Sequence, residues 1–300
     1  MLQKMILNLF QNSFRLIEKF LPTVAGKWGI KLFFKPRKHQ RPVREAQYIK
    51  NASIEKIPFQ SKYSWQEDNG HHYVFYQWGS GPVVLLVHGW EGRGSQMGPF
   101  VKSLVNAGYK VVTFDAVAHG DALGKRTNLP EFADIIADIE KTEGGFEAII
   151  GHSLGGVAAA WAISNGVNAS KLVTVGSPAS MEFIFAEFAR QIGATQTSTD
   201  QIAWFIENFS GRKIDEFSLK NILSGLTIPG LIVPDKDDKE IPFTQGSILS
   251  EHWANSEFKL TENLGHRRIL RDEKTILEII DFIATSQKKK LTECFEESFV

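Results

Sequence analysis

Gly151-His152-Ser153-Leu154-Gly155-Gly156 sets one serine between two glycines. It follows the apolar run Phe146–Ile150 and precedes the small-residue stretch Val157–Trp161. This is G-x-S-x-G on a strand, a sharp turn and a helix. Such a turn strains the serine backbone and lifts its hydroxyl to the end of the strand. A side chain at Gly151 or Gly155 would collide with the neighbouring strand or helix. The start of the following helix favours negative charge beside the hydroxyl. A serine hydroxyl becomes a strong nucleophile only when a base takes its proton and an acid orients that base.

Both residue types occur downstream. Pro234-Asp235-Lys236-Asp237-Asp238-Lys239-Glu240-Ile241-Pro242 ends an apolar run with a cluster of acids, and Gly265-His266 follows the next apolar run. Beyond the acids only His252 and His266 remain. His252 sits in a helical pattern, so His266 is expected as the base. Asp238 is favoured as the acid because it precedes Ile241-Pro242 in a D-x-x-[VI]-P pattern, with Asp235 and Asp237 as alternatives. A developing oxyanion needs backbone donors. They are expected from Leu154, the residue after the serine, and from Trp90 in His88-Gly89-Trp90. His88 itself reads as structural.

These residues need a scaffold that carries them to one edge. Val83–Val87, Lys110–Phe114, Phe146–Ile150, Lys171–Val175 and Gly230–Val233 are continuous apolar runs, as expected of strands buried on both faces. Helical patterns over Pro99–Ala107, Pro130–Glu143, Leu154–Asn165 and Asp272–Thr285 alternate with them, and Phe258–Thr261 reads as a last strand. The fold class is therefore α/β, with a mostly parallel central sheet and helices on both faces. Tyr63–Glu67 and Tyr73–Trp78, around Asp68-Asn69-Gly70, predict an antiparallel hairpin at one edge. Residues 181–226 break the rhythm with apolar positions at helical spacing and predict an inserted helical cap. The organisation expected is an amphipathic basic arm at 1–45, a core in two parts at 46–180 and 227–286 separated by the cap, and a polar tail at 287–300.

These pieces together resemble a serine hydrolase of the α/β-hydrolase superfamily, esterase- or lipase-like. The resemblance rests on Val83–Val87 with His88-Gly89-Trp90, on Asp115-x-x-x-His119-Gly120 as a D-x-P-x-x-G-like loop without its proline, on Gly151–Gly156, on Asp238-x-x-Ile241-Pro242 and on Gly265-His266. It spans roughly residues 60–285. It implies a catalytic triad of Ser153, Asp238 and His266, an acyl-enzyme, and a small-molecule ester substrate held under the cap. A lyase, carbon–carbon hydrolase or acyltransferase could use the same residues, as could a binding protein that has lost catalysis.

Composition excludes several other classes. The chain has 300 residues, 43% hydrophobic and 23% charged, with no formal net charge and a single cysteine. No intrachain disulfide or cysteine-built zinc site can form. No cofactor or metal motif appears, and no nucleic-acid partner is expected. Gly92-x-Gly94-x-x-x-Gly98 with Asp115 imitates a dinucleotide fingerprint, but its last glycine is one residue late. A cytoplasmic location is expected, and Cys294 in its charged tail fits a reducing compartment without deciding it. The first 50 residues hold eleven Lys/Arg against two acids, leaving the other 250 with the opposite balance. Leu2, Met5, Ile6, Leu9, Phe10, Leu16, Ile17, Phe20 and Leu21 form an amphipathic pattern broken by charges, so it is no membrane span. One reading packs this helix on the body. The other lays it on a membrane surface, with the basic segment 35–44 on anionic headgroups.

Overall fold

The computed structural model describes residues 2–65 and 71–297, with side chains from 5–65 and 71–285. Three helices come first: α1 (Leu2–Phe20), α2 (Pro22–Phe33) and α3 (Val43–Ile49). The strands are β1 (Ser53–Pro58), β2 (His72–Trp78), β3 (Val83–Val87), β4 (Lys110–Asp115), β5 (Ala148–His152), β6 (Leu172–Val175), β7 (Gly230–Val233) and β8 (Ser256–Phe258). Between and after them run α4 (Pro99–Asn106), α5 (Leu129–Glu143), α6 (Leu154–Ser164), α7 (Met181–Ile192), α8 (Gln196–Ser210), α9 (Leu219–Ser224), α10 (Phe243–His252), α11 (Gly265–Arg268) and α12 (Glu273–Glu297).

The eight strands form one sheet in the order β1-β2-β4-β3-β5-β6-β7-β8. β1 and β2 are antiparallel at one edge, and β4 to β8 run parallel with β3. Side chains alternate across the sheet as a period of two requires. Leu85 and Val87 join Phe132, Ala158 and Leu223 in the core on one face. Val84 and Leu86 join Phe100, Leu104 and Ile279 on the other. α5 and α6 thus cover one face, and α4 and α12 the other. Local signals fix the helix ends. The Asn128 side chain accepts the Glu131 N–H to start α5, and Gly144 at positive φ ends it.

The edge hairpin differs from the expected one. Its first strand is Ser53–Pro58, paired from Pro58 opposite His72 to Ser53 opposite Gln77. The expected turn at 68–70 lies outside the described residues. β1 escaped the sequence reading because an edge strand with both faces wet carries no apolar alternation. Most of its residues are exposed, and Glu55 and Lys56 guard the edge. The aromatics that suggested a strand at 63–67 pack elsewhere: Trp65 stacks on Phe205 and Phe209 of α8.

Between β6 and β7 the chain makes α7, α8 and α9. α9 lies against α6 and α10, with Leu219 and Leu223 buried. α7 and α8 instead meet the N-terminal helices. Gly26 and Gly29 on the small-residue face of α2 let α8 approach, so a Cβ at Gly29 would sit 3.5 Å from Ile202. Residues 35–45 do not trail in solvent. Arg41 pairs with Asp121 at 2.8 Å, the Lys38 ammonium donates to the Ala122 carbonyl at 2.7 Å, and buried Glu45 takes a bidentate Arg93 at 2.6 and 3.0 Å. The C-terminal stretch expected as a tail continues α12 to Glu297. Among the described residues no helix is long and apolar enough to cross a membrane.

Candidate active site

The residues singled out in the sequence gather at the carboxyl ends of the parallel strands, where open α/β sheets place their ligands. Ser153 follows β5 and caps α6 with φ of 53° and ψ of −124°, a conformation that an L-residue holds only under strain. Neighbouring backbones leave no choice at the flanking glycines. A Cβ on Gly151 would lie 2.5 Å from Gly156, and one on Gly155 2.4 Å from the Val87 carbonyl oxygen on β3. The elbow therefore presses the start of α6 between β5 and β3, which strand and helix could not do with side chains in the way.

Asp238, in the loop after β7, and His266, at the start of α11, meet. Asp238 Oδ2 lies 2.7 Å from His266 Nδ1. Asp238 is 6% exposed, and its other oxygen accepts the N–H groups of Glu240 and Ile241 at 2.8 and 2.9 Å. With Oδ1 so engaged, Oδ2 is left for the imidazole. Gly176, at the end of β6 with φ of 56°, sits under the pair, and a Cβ there would be 3.3 Å from both Asp238 Oδ2 and His266 Nδ1.

The two alternative acids do other things. Asp237 is exposed and accepts the Asn263 N–H at 2.8 Å. Asp235 is buried and binds the loop that carries the histidine, accepting from Gly265 N, Leu264 N and the Thr261 hydroxyl at 2.8, 3.2 and 2.8 Å. Burial alone would raise the Asp235 carboxyl, but the N–H of Gly265 and the other donors outweigh it and hold it below its ordinary value.

Three further residues brace the site: His119 and His152 stand inside the quoted motifs without a role there, and no local pattern announces Ser177. Ser177 donates to the Ser153 carbonyl at 2.9 Å. His152 Nε2 lies 2.8 Å from the His266 carbonyl oxygen, so it donates and ties the histidine loop to the elbow. His119 Nε2 accepts the Glu91 N–H at 3.0 Å, which fixes the turn after Trp90. His88 does a similar task below it. Its Nδ1 faces the Gly89 carbonyl at 2.7 Å and its Nε2 accepts the Ala116 N–H at 3.1 Å. A ring with one donor and one acceptor partner is neutral, and burial pushes His88 down to about 4. Burial holds His119 and His152 well below the ordinary histidine range too.

The two expected oxyanion donors flank the serine. Leu154 opens α6, whose first N–H groups have no acceptor within the helix. Trp90 follows Gly89, where an added Cβ would come within 2.9 Å of the Ser153 Cβ. The decoy nucleotide motif is engaged internally. Asp115, buried, accepts the Gly94 N–H at 2.7 Å, the Tyr76 hydroxyl at 2.9 Å and the Asp121 N–H at 2.8 Å.

A cavity of about 600 Å³ opens over the serine, lined by Ser153, His266 and Trp90 from the sheet side and by Met181, Ile184 and Phe188 of α7. Leu7 and Phe10 of α1 and Leu32 and Phe33 of α2 complete its wall. The N-terminal helices are thus part of the wall of this cavity, a place their sequence pattern did not suggest.

Residues 84–221 match the model of the alpha/beta hydrolase family, a stretch that holds both Trp90 and the elbow. Over that stretch the chain is similar to the alpha/beta hydrolase family, and its sheet has the α/β-hydrolase fold. Among curated proteins it is similar to the non-heme chloroperoxidase CPO-A1 of Kitasatospora aureofaciens, with 29% identity over 90 residues. That match takes in 28% of this chain and 32% of the relative, so the chain spans about a third of the length of the curated protein it matches. Two solved structures share the fold. An esterase from Exiguobacterium antarcticum has a TM-score of 0.57 at 19% identity, over 72% of this chain and 97% of the esterase. A bromoperoxidase from Bacillus anthracis also has a TM-score of 0.57 at 19% identity, over 77% of this chain and 99% of the bromoperoxidase. The α/β-hydrolase fold thus accounts for the sheet and the elbow, while α1 and α2 add to the cavity wall from outside the matched stretch.

Proposed function

We propose that the chain is a serine hydrolase that cleaves a carboxylic ester, or a related acyl bond, through Ser153, His266 and Asp238. The reading is carried by the 2.7 Å contact of Asp238 with His266 Nδ1 beside the cavity that Ser153 lines. Asp238 accepts a hydrogen bond from Nδ1–H, which keeps that proton on Nδ1 and leaves the lone pair on Nε2. His266 Nε2 takes the Ser153 proton as Oγ attacks the carbonyl carbon. The N–H groups of Trp90 and Leu154 hold the oxyanion. The tetrahedral adduct collapses, His266 returns the proton to the leaving alcohol, and the acyl group stays on Ser153. Water then attacks the acyl-enzyme with His266 as base, and the carboxylic acid leaves with Ser153 restored.

The test is labelling with a fluorophosphonate, wild type beside Ser153→Ala, with nitrophenyl esters of rising chain length on the same samples. Labelling and hydrolysis present in the wild type and absent in the variant support the reading. A folded wild type that neither labels nor hydrolyses any ester overturns it. The peroxidase names of two relatives favour one second reading, in which hydrogen peroxide takes the acyl group in place of water. Peroxide and bromide added to an ester assay separate the two, since only the second reading gives ester-dependent bromination of a dye.

A further inference from the structure

α1 packs on the molecule through its polar side. At 100° per residue, Met5, Ile6, Leu9, Leu16 and Phe20 fall on one broad face of the helix, and Gln11, Phe14 and Glu18 fall opposite. The second face is the one turned inward. Gln11 Nε2 donates to the Arg190 and Gln191 carbonyls at 2.9 and 3.1 Å, and Arg15 Nε donates to the Gly193 carbonyl at 3.2 Å, at the end of α7. Glu18, buried, accepts the N–H groups of Thr195 and Ser198 at 2.9 and 3.0 Å, at the start of α8. Each charge sits at the helix end whose dipole favours it. The apolar face is left outside, with Leu9 61%, Leu16 60% and Phe20 67% exposed. α2 continues the pattern. Gly26 and Gly29 face α8 and Ala25 packs with Phe14 and Ile192, while Val24, Trp28 and Leu32 are exposed. Phe10 lines one groove with Trp28 and Leu32, so the apolar surface runs across both helices. A contiguous exposed apolar surface of this kind marks an interaction site.

The charges around it select the partner. Residues 2–35 contain Lys4, Arg15, Lys19, Lys27, Lys31 and Lys35 against the single acid Glu18, which points inward. Lys27 and Lys31 stand on the helical row beside Val24 and Trp28. The rest of the molecule carries the compensating negative charge. An anionic surface therefore attracts this face and repels the opposite one. A second copy docked here would bring like lysines together. We propose that the exposed face of α1 and α2 docks on an anionic membrane surface, with Leu9, Leu16, Phe20 and Trp28 in the headgroup boundary and Lys19, Lys27 and Lys31 on acidic headgroups. Of the cations of 35–44 that the sequence offered for this, Arg37, Arg41 and Lys38 are already engaged by Glu91, Asp121 and the Ala122 carbonyl. Leu7, Phe10 and Leu32 line the cavity from these same helices, so docking brings the cavity beside the bilayer.

Flotation of the full chain with phosphatidylcholine vesicles, and with vesicles also containing phosphatidylglycerol, tests this. The chain is expected to float with the anionic vesicles and to be released by salt. Leu9→Glu/Leu16→Glu/Phe20→Glu abolishes flotation while soluble-ester turnover and circular dichroism stay at wild-type values. Lys19→Gln/Lys27→Gln/Lys31→Gln weakens partitioning by roughly fivefold per lysine, about a hundredfold in all. Ser153→Ala floats like the wild type, so the result does not depend on the hydrolase reading. Wild-type chain that stays in the aqueous fraction with anionic vesicles overturns the proposal. So does a dimer in sedimentation that the triple Glu variant splits, without vesicle binding, since the face then belongs to a second copy.

Discussion

Arg37 grips Glu91 twice. Its backbone N–H lies 3.2 Å and its Nε 2.8 Å from the same Glu91 carboxylate oxygen. Glu91 is the residue after Trp90 and has φ of 58°, a conformation that favours glycine. Burial alone would raise the Glu91 carboxyl, but the Arg37 bonds outweigh it and hold it below its ordinary value. The N-terminal strap thus holds the turn that aims the expected oxyanion donor, from a residue 54 positions away.

Removing that grip is expected to loosen the donor more than the fold. Arg37 is 73% exposed, so Arg37→Ala costs less than about 1 kcal/mol of stability. Misplacing an oxyanion donor weakens an interaction made only in the transition state, so kcat is expected to fall about tenfold with KM little changed. Steady-state kinetics on a soluble nitrophenyl ester, beside a urea melt, check this. A variant with unchanged kcat removes the strap from catalysis.

The Asp238–His266 pair leads to a sharper prediction. Oδ1 must remain an acceptor for Glu240 N–H and Ile241 N–H. In Asp238→Asn the amide NH2 is therefore turned toward His266 Nδ1. The imidazole must then place its proton on Nε2, the position that has to receive the serine proton. The expected outcome is a loss of about 10⁴ in kcat with the melting temperature nearly retained. Kinetics and thermal melts on the same preparation check it, and activity within tenfold of wild type would sink the role given to Asp238.

The elbow was legible because its constraints are local. Gly151 and Gly155 are spaced so that β5, the turn and α6 fit together, and that spacing is visible in the chain. The apolar runs of the buried strands were legible for the same reason. Asp235, Gly176 and Ser177 were not, because what they do depends on loops far away in sequence. Asp235 reads in the sequence only as an alternative triad acid, yet it is buried and holds Gly265. The edge strand β1 was missed because wet faces leave no periodic signal. α1 misled in another way. Its amphipathic period was plain, but periodicity does not say which face packs, and here Gln11 and Glu18 hold the helix while Leu16 and Phe20 face out.

Acid should unfold the chain through its buried imidazoles. Burial depresses His88 to about 4 and holds His119 and His152 well below the ordinary range, so in the folded state all three stay neutral where an unfolded chain would protonate them. The unfolded state then binds more protons, and stability rises with pH. These contributions are complete above about 6.5 and are lost as pH falls toward each folded value. For His88 the loss is about 3 kcal/mol by about pH 4. Asp115 works in the opposite direction. Burial pushes its carboxyl up, so the native state holds that proton longer and offsets part of the loss. Urea melts between about pH 7 and about pH 4.5 should show stability falling with a slope of about two to three protons near pH 5. Exposed histidines would contribute no such slope, so a flat profile over that range would mean that His88, His119 and His152 charge in place and that the packing around the oxyanion turn and the elbow is looser than these contacts require.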